Sequence, residues 1–333
     1  MNKAYIKYIE YYLPDAILDN NTLNEEFPSW SADKISAKTG IYQRHIAAPD
    51  EFASDMAIKV AEKLIVNNNI DRSEIDFILL CTQSPDYFLP TTACIVQNKL
   101  NIPSSAGALD FNLGCSGYVY GLALAKGLIV SNIAKNVLLI TSEVYSKFIH
   151  EKDKSNRTIF GDGASATLIS NSGLCEIGEF DLGTDGSGAN NLIVKEGATR
   201  YPERGNTETI DSFGNVHAPA CLYMNGPEIF TFTSRAVPEL INNTLNKNNL
   251  SLAKIDLHIF HQANQFMLEH LMKKIGIDRD RFFIYLKECG NTVSSTIPIA
   301  LKNAIEGKIK KGDNVLLAGF GVGYSWGATI LFF

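Results

Sequence analysis

The chain has 333 residues, 45% hydrophobic and 20% charged, which is enough apolar material for one large core or two domains. Its net charge of −6 argues against a general nucleic-acid binder, and no apolar run reaches the roughly 18 residues of a membrane span. Six cysteines, at 81, 94, 115, 175, 221 and 289, include no C-x-x-C pair, so neither a zinc site nor a disulfide framework is expected.

The opening MNKAYIKYIEYYLPDAILDN lacks the unbroken apolar stretch of a signal peptide, and a cytoplasmic location is expected. ASDMAIKVAEKLIVNNN, from Ala53, has the spacing of an amphipathic helix. SEIDFILLCTQS, from Ser73, reads as a helix end, a short buried strand and a polar loop. AGALDFN, from Ala106, is a strand, and the turn after it carries Cys115 between Gly114 and Gly117 ahead of a helical stretch. KNVLLITSE, from Lys135, is a second buried strand, and FGDGA, from Phe160, is a tight turn into the strand GASATLIS. An irregular polar insert follows around 183–220. AKIDLHIFHQAN, from Ala253, leads into the amphipathic NQFMLEHLMKKIG, then the strand RFFIYL from Arg281 and KECGNTVSSTIPIALKNAI. DNVLLAGFG and GATILFF close the chain as strands.

Three pairs of these segments are alike and occur in the same order. The Ser73 and Ala253 segments lie 180 residues apart, the Lys135 and Asp313 segments 178, and the Gly163 and Gly327 segments 164. One match is chance; three in order imply an internal duplication. Alternating strands and helices of this length imply sheets covered by helices, so the expected fold is two similar α/β halves, 1–175 and 176–333.

Ligands in such sheets bind beyond the carboxyl ends of strands. Cys115, His261 and Asn291 each sit at such an end and converge if the halves pack about a pseudo-twofold axis. Cys115 has a plain alternative as a small buried hydrophobe. As a nucleophile it gains from a helix start, whose partial positive charge and free N–H groups lower a thiol pKa and hold an oxyanion. His261, a structural residue on type alone, opens a polar loop with Asn264 three residues on, and its ring can hydrogen-bond a substrate carbonyl. Asn291 reads as a cap on its own; its value is its place opposite Cys115 in the duplication. His258 lies inside its strand and reads as packing. GFGVGYSWG, Gly319 to Gly327, enters a strand rather than a helix, so it suits a glycine-lined substrate wall better than a phosphate loop.

The stretches TGIYQRHIAAPDE, CSGYVYGL, FGDGASATL, HQAN, GNTVSSTIPIAL and GFGVGYSWGA, in this order, resemble β-ketoacyl-ACP synthase III of the thiolase superfamily along nearly the whole chain. The resemblance implies a five-layered αβαβα fold duplicated between the halves, a homodimer, and a Cys–His–Asn trio that maps to Cys115, His261 and Asn291. It implies acyl transfer from a thioester to the cysteine, then decarboxylative condensation with a malonyl thioester, in fatty-acid initiation or a specialised pathway. The N–H groups of Cys115 and Val322 map to the oxyanion hole, and Phe320, Gly321 and Gly323 to the active-site wall. No tightly bound cofactor or metal is implied; acyl-CoA or acyl-ACP and malonyl-ACP or malonyl-CoA are substrates, and acyl carrier protein is the expected partner.

Several positions depart from the housekeeping members. Lys34 and Lys38 stand where a tryptophan and an arginine grip coenzyme A, and Lys154 replaces a further arginine; with Asn264 these are the expected CoA or phosphopantetheine contacts. Lysine holds phosphate as a point charge and does not stack on adenine. Phe266 replaces a carrier-docking arginine and Thr231 a lysine. Leu89 replaces a phenylalanine that in some members caps the partner subunit's acyl pocket, so a chain longer than acetyl is expected. Two other functions fit the trio less well: a Cys-dependent acyltransferase making esters or amides, and a non-catalytic partner subunit. Relatives that only transfer acyl groups can carry an acid at the Asn291 position, and non-catalytic subunits lack the cysteine.

Overall fold

The protein is described by a computed structural model that covers residues 3–205, 207–211 and 214–333. Ten strands form the main sheet. The first five are β1 (Tyr5–Tyr12), β2 (Phe77–Cys81), β3 (Gly107–Phe111), β4 (Asn136–Glu143) and β5 (Gly163–Ser170). The second five are β6 (Cys175–Thr184), β7 (Leu257–Phe260), β8 (Phe282–Phe283), β9 (Asn314–Gly321) and β10 (Ser325–Phe332). Their spatial order is 3-2-4-5-1-6-10-9-7-8. Read outward from the centre, one half is the other with five added to every label. The halves meet where β1 pairs with β6, at Tyr5–Glu176 and Ile6–Cys175. In each half the outer strands run parallel and the inner ones antiparallel.

Six long helices complete the layers: α1 (Ala53–Asn67), α2 (Thr92–Lys99), α3 (Gly117–Val130), α4 (Gly226–Lys247), α5 (Gln265–Ile275) and α6 (Thr296–Gly307). Their faces follow from their sequences. Helix α1 buries Met56, Val60 and Leu64 at helical spacing and covers the Ile78, Leu80, Leu138 and Ile140 face of the first half. Helix α3, GYVYGLALAKGLIV, is apolar almost all round, which only an inner helix can satisfy. Its Tyr118 and Leu122, with Ile297 and Leu301 of α6, pack between Leu79 and Leu139 of one half and Ile259 and Leu317 of the other. Helices α4 and α5 cover the opposite face of the second half through Val237, Ile241, Leu268 and Leu271. Because strand side chains alternate, each sheet half is buried on both faces. The result is the five-layered αβαβα order of the thiolase-like fold.

The strand expected over RFFIYL is shorter than its apolar run. Only Phe282 and Phe283 pair in the ladder, and the Tyr285 N–H donates to Gln262 Oε1 at 2.7 Å instead. The irregular stretch after β6 holds a 3-10 turn at Gly186–Asn191 and two-residue strands such as Leu192–Ile193 and Tyr223–Met224. Among the described residues no helix is long and apolar enough to cross a membrane.

Candidate active site

Cys115 lies in the turn between β3 and α3. The Gly117 N–H donates to the Gly114 carbonyl at 2.8 Å, which closes the turn. Ser116 Oγ sits 2.6 Å from Ser325 Oγ, tying the start of α3 to the start of β10. That tie holds the β9–β10 hairpin over the thiol, where the backbone N–H groups of Val322 and of Cys115 itself both favour the charged sulfur. Two convergent N–H donors at one sulfur have the arrangement of an oxyanion hole. The approach is close: a Cβ on Gly321 would stand 2.8 Å from both Cβ and Sγ of Cys115, so no larger residue fits.

A helix start was the reason to expect a low thiol pKa, and here burial outweighs it. Desolvation first, then the carboxyl of Glu143, push the Cys115 thiol up to about 12, while the two N–H groups pull the other way. Cys115 is therefore a protonated thiol near neutral pH. Glu143, at the end of β4, is fully buried and pushed up to about 8 by desolvation. It accepts from the Gln83 N–H at 3.0 Å and from Ser294 Oγ at 2.8 Å.

His261 is the first residue past β7, held by its N–H donating to the Ala318 carbonyl at 2.8 Å. Its ring is buried, with Nδ1 2.7 Å from Thr296 Oγ1 and Phe320 edge-on at 6.0 Å. Burial pushes its pKa down to about 3, so the imidazole is neutral at physiological pH. Asn291 follows Gly290, whose φ is +67° and where an added Cβ would stand 2.9 Å from the Ile159 carbonyl oxygen, leaving no room for a side chain. The Asn291 N–H donates to Ile159 O and its carbonyl accepts from the Gly161 N–H, each at 3.0 Å. The Phe160–Ala164 turn thus straps the asparagine of the other half in place. Asn291 Oδ1 accepts the Val293 N–H at 2.9 Å.

Cys115, His261, Asn291, Phe320 and Gly321 line one cavity of about 80 Å³, together with Asn264. Leu192 is shared with a neighbouring cavity of about 700 Å³, lined by Tyr87, Phe88, Tyr145, Phe148 and Val322. The remaining expected positions are spread out. Asn264 spends its Oδ1 on the Met267 N–H at 2.8 Å, as the cap of α5. Lys34 and Lys38 stand over the Trp30 ring at 5.4 and 4.7 Å, so their ammonium groups gather at one indole. Lys154 opens the short helix Lys154–Arg157, with its Nζ near Gly214. Leu89 is 82% exposed beside Tyr87 and Phe88 and lies outside the Cys115 cavity of its own chain. Gly323 departs from its expected place in the wall: it forms the β9–β10 turn with φ +135° and does not line the cavity. Phe266 is exposed and stacks on Phe230 at 5.7 Å.

Three contributors carry no local signal. Thr296, Glu143 and the 159–161 strap matter only through tertiary contacts, made with residues far from each of them in the chain. Among the described residues no cluster of three His, Cys, Asp or Glu side chains could hold a metal ion.

Known proteins share this geometry's frame. Residues 109–186 match the 3-Oxoacyl-[acyl-carrier-protein (ACP)] synthase III family, and residues 245–333 match its C-terminal family. A Clostridium perfringens (strain ATCC 13124) protein named Beta-ketoacyl-[acyl-carrier-protein] synthase III is 38% identical over 322 residues, 96% of either chain. A 3-oxoacyl-(acyl-carrier-protein) synthase III crystal structure superposes with a TM-score of 0.97 at 48% identity, covering 99% of this chain and 100% of that one. A Burkholderia xenovorans LB400 crystal structure named 3-oxoacyl-(acyl-carrier protein) synthase gives 0.90 at 35% identity, with 99% and 94% coverage. Shared sequence over the full length, on the same duplicated frame, means that this chain belongs to the β-ketoacyl-[acyl-carrier-protein] synthase III family of condensing enzymes.

Proposed function

We propose that the chain starts acyl chains by two half-reactions at Cys115. In the first, Sγ attacks an acyl thioester; the new S–C bond forms, the carrier's C–S bond breaks, and the thiol proton ends on the departing carrier thiol. The N–H groups of Cys115 and Val322 bind the intermediate oxyanion. In the second, a malonyl thioester loses CO2, and the electron pair left behind forms an enolate whose oxygen takes hydrogen bonds from His261 and Asn291. Its carbon attacks the acyl-enzyme, the Sγ–C bond breaks, and Cys115 regains a proton from solvent. Phe320 and Gly321 wall the site, and the neighbouring 700 Å³ cavity suits the acyl chain.

The observation that carries this reading is the convergence of a thiol under two N–H groups with His261 and Asn291 in one cavity. A simple ester- or amide-forming acyltransferase has no use for the second pair. Intact-mass measurement is the test: one acyl group should load per chain and vanish in Cys115→Ala with the fold retained. Stoichiometric loading of the variant would reject the assignment.

The donor in this reading is carried on acyl carrier protein, gripped through Asn264 and the cations Lys34, Lys38 and Lys154. Support comes from Trp30, whose ring already attracts two ammonium groups that compete with adenine stacking. Faster loading of Cys115 from the same acyl group on coenzyme A, with little salt dependence, would reject this choice. A second copy of the chain completes the assembly. Among the described residues β3 is the edge strand of the first half and carries exposed Leu109, and Tyr87, Phe88 and Leu89 are exposed as well. Leu89 would then face the partner's acyl cavity, and light scattering reads the dimer directly.

A further inference from the structure

The proton on His261 is not fixed by its own residue type. The ring is neutral and has one N–H to place on two nitrogens. Nδ1 meets Thr296 Oγ1 at 2.7 Å, and Thr296 Oγ1 in turn lies 3.0 Å from the Val293 carbonyl. The Val293 backbone also raises the ring's pKa and so favours its protonation. His261 and Thr296 are each 2% exposed, so water does not mediate between them. The hydroxyl also has a single proton. Either Thr296 donates to Val293 O, Nδ1–H donates to Thr296, and Nε2 is bare; or Thr296 donates to Nδ1, and Nε2 carries the hydrogen.

Resting on the enolate role of His261 given above, we propose that Thr296 is a positioning residue that sets this tautomer. Its hydroxyl turns from the Val293 carbonyl to Nδ1, which leaves N–H on Nε2 for the malonyl-derived enolate oxygen. One ring proton and one hydroxyl proton are present in both arrangements, and the ring exchanges its proton with solvent through the cavity before substrate fills it. A carbonyl alone cannot do this, because it only accepts. Without the hydroxyl, a bare Nδ1 would face the Val293 carbonyl lone pairs, so the proton stays on Nδ1 and Nε2 loses its donor. The chain's choice of Thr at the first residue of α6 then has a chemical reason beyond capping: its Oγ1 is both acceptor and donor at one nitrogen.

The test uses the full-length protein with Thr296→Val and Thr296→Ser. Thr296→Val should load Cys115 within a few-fold of the parent and condense about 10²-fold more slowly, the usual loss for one such donor. Thr296→Ser should restore condensation to within a few-fold. In ¹⁵N-histidine-labelled parent holding a non-decarboxylating malonyl thioester analogue, the His261 shifts should report hydrogen on Nε2, and in Thr296→Val on Nδ1. Parent-like condensation in Thr296→Val, no rescue by Ser, or a parent ring with hydrogen on Nδ1 in the analogue complex would each overturn the proposal; the last needs no variant to fold. Asn291→Ala separates the two levels. If it condenses poorly while Thr296→Val is unaffected, the Thr296 role alone falls. If it condenses like the parent, the enolate pair falls and Thr296 with it.

Discussion

The backbone N–H of Val293 donates to Asn291 Oδ1 at 2.9 Å, and it does so from a residue with φ +55°. A β-branched residue in the left-handed region costs on the order of 1–3 kcal/mol, which the surrounding packing must offset. Since a backbone N–H can only donate, the contact also settles the amide orientation: Oδ1 is occupied, and Nδ2 makes no hydrogen bond among the described residues. The strained turn therefore presents a donor to the cavity that also holds Cys115.

Asn291→Ala should accept an acyl group on Cys115 and condense about 10²–10³-fold more slowly, because the enolate charge develops only in the second half-reaction. Asn291→Asp should condense more slowly still, since a carboxylate can take the Val293 N–H but turns an oxygen on the enolate. Single-turnover rates of the two half-reactions give the answer. Equal damage to both would remove Asn291 from the enolate role.

Gly321→Ala addresses the close approach over the thiol. Its methyl would stand 2.8 Å from Cys115 Cβ and Sγ, and Cys115 is pinned by the α3 start rather than free to swing away. The expected cost is about 1–3 kcal/mol of stability from overpacking. Loading of Cys115 should fall at least about 10²-fold, as a misplaced reacting group does. Melting temperature and loading rate measured on the same sample separate the two effects. A variant that loads at the parent rate would mean the hairpin yields.

Glu143→Gln tests the electrostatics beneath the nucleophile. Burial pushes the carboxyl up to about 8, so it is largely neutral at pH 7 and gains charge above pH 8, where it further opposes thiolate formation at Cys115. A glutamine can keep an oxygen toward the Gln83 N–H while its NH2 meets Ser294 Oγ. In Glu143→Gln, alkylation of Cys115 by iodoacetamide should therefore rise at lower pH than in the parent, with several-fold faster labelling in the alkaline range and little change at pH 7. Superimposable labelling profiles would show that Glu143 does not act on the thiol.

Much of this frame was legible in the chain. The three repeated segments correspond to β2 and β7, β4 and β9, and β5 and β10, because equivalent strands in equivalent layers need the same buried runs. The strand ends carrying Cys115, His261 and Asn291 follow from that register. What sequence could not supply were the terms set by burial. Cys115 has the helix start that lowers a thiol pKa, and what raises it, burial first and then the Glu143 carboxyl, is supplied by the tertiary fold. Trp30 and Lys38 are eight residues apart, and only the turn into the helix Ala32–Thr39 brings the ammonium over the indole. The strand RFFIYL has the composition of a longer strand, but it lies at the sheet edge, where Gln262 competes for its backbone.

The last prediction concerns stability against acid. His258, within β7, is 1% exposed; its Nδ1–H donates to the Arg281 carbonyl at 3.1 Å, and its Nε2 is buried without a hydrogen-bond partner among the described residues. Burial first pushes its pKa down to about 4, so the folded ring stays neutral where the unfolded one, near 6.5, takes a proton. The unfolded state then binds more protons between these values, and stability falls as pH drops from about 6.5 to 4, by about 1.4 kcal/mol per pH unit for one group. His261 acts with the same sign. Glu143 and Asp162, whose carboxyls burial pushes up, act with the opposite sign as pH rises above the carboxylate range, so the total slope is a balance. His258→Asn isolates one proton, because its Nδ2 can still donate to Arg281 O and the other groups are unchanged. Urea unfolding at pH 7, 6 and 5, at fixed protein concentration, should show the parent losing more stability than the variant on acidification, with the gap widening below pH 6. Parallel curves would mean that the unpartnered Nε2 is protonated as easily in the fold as in the open chain.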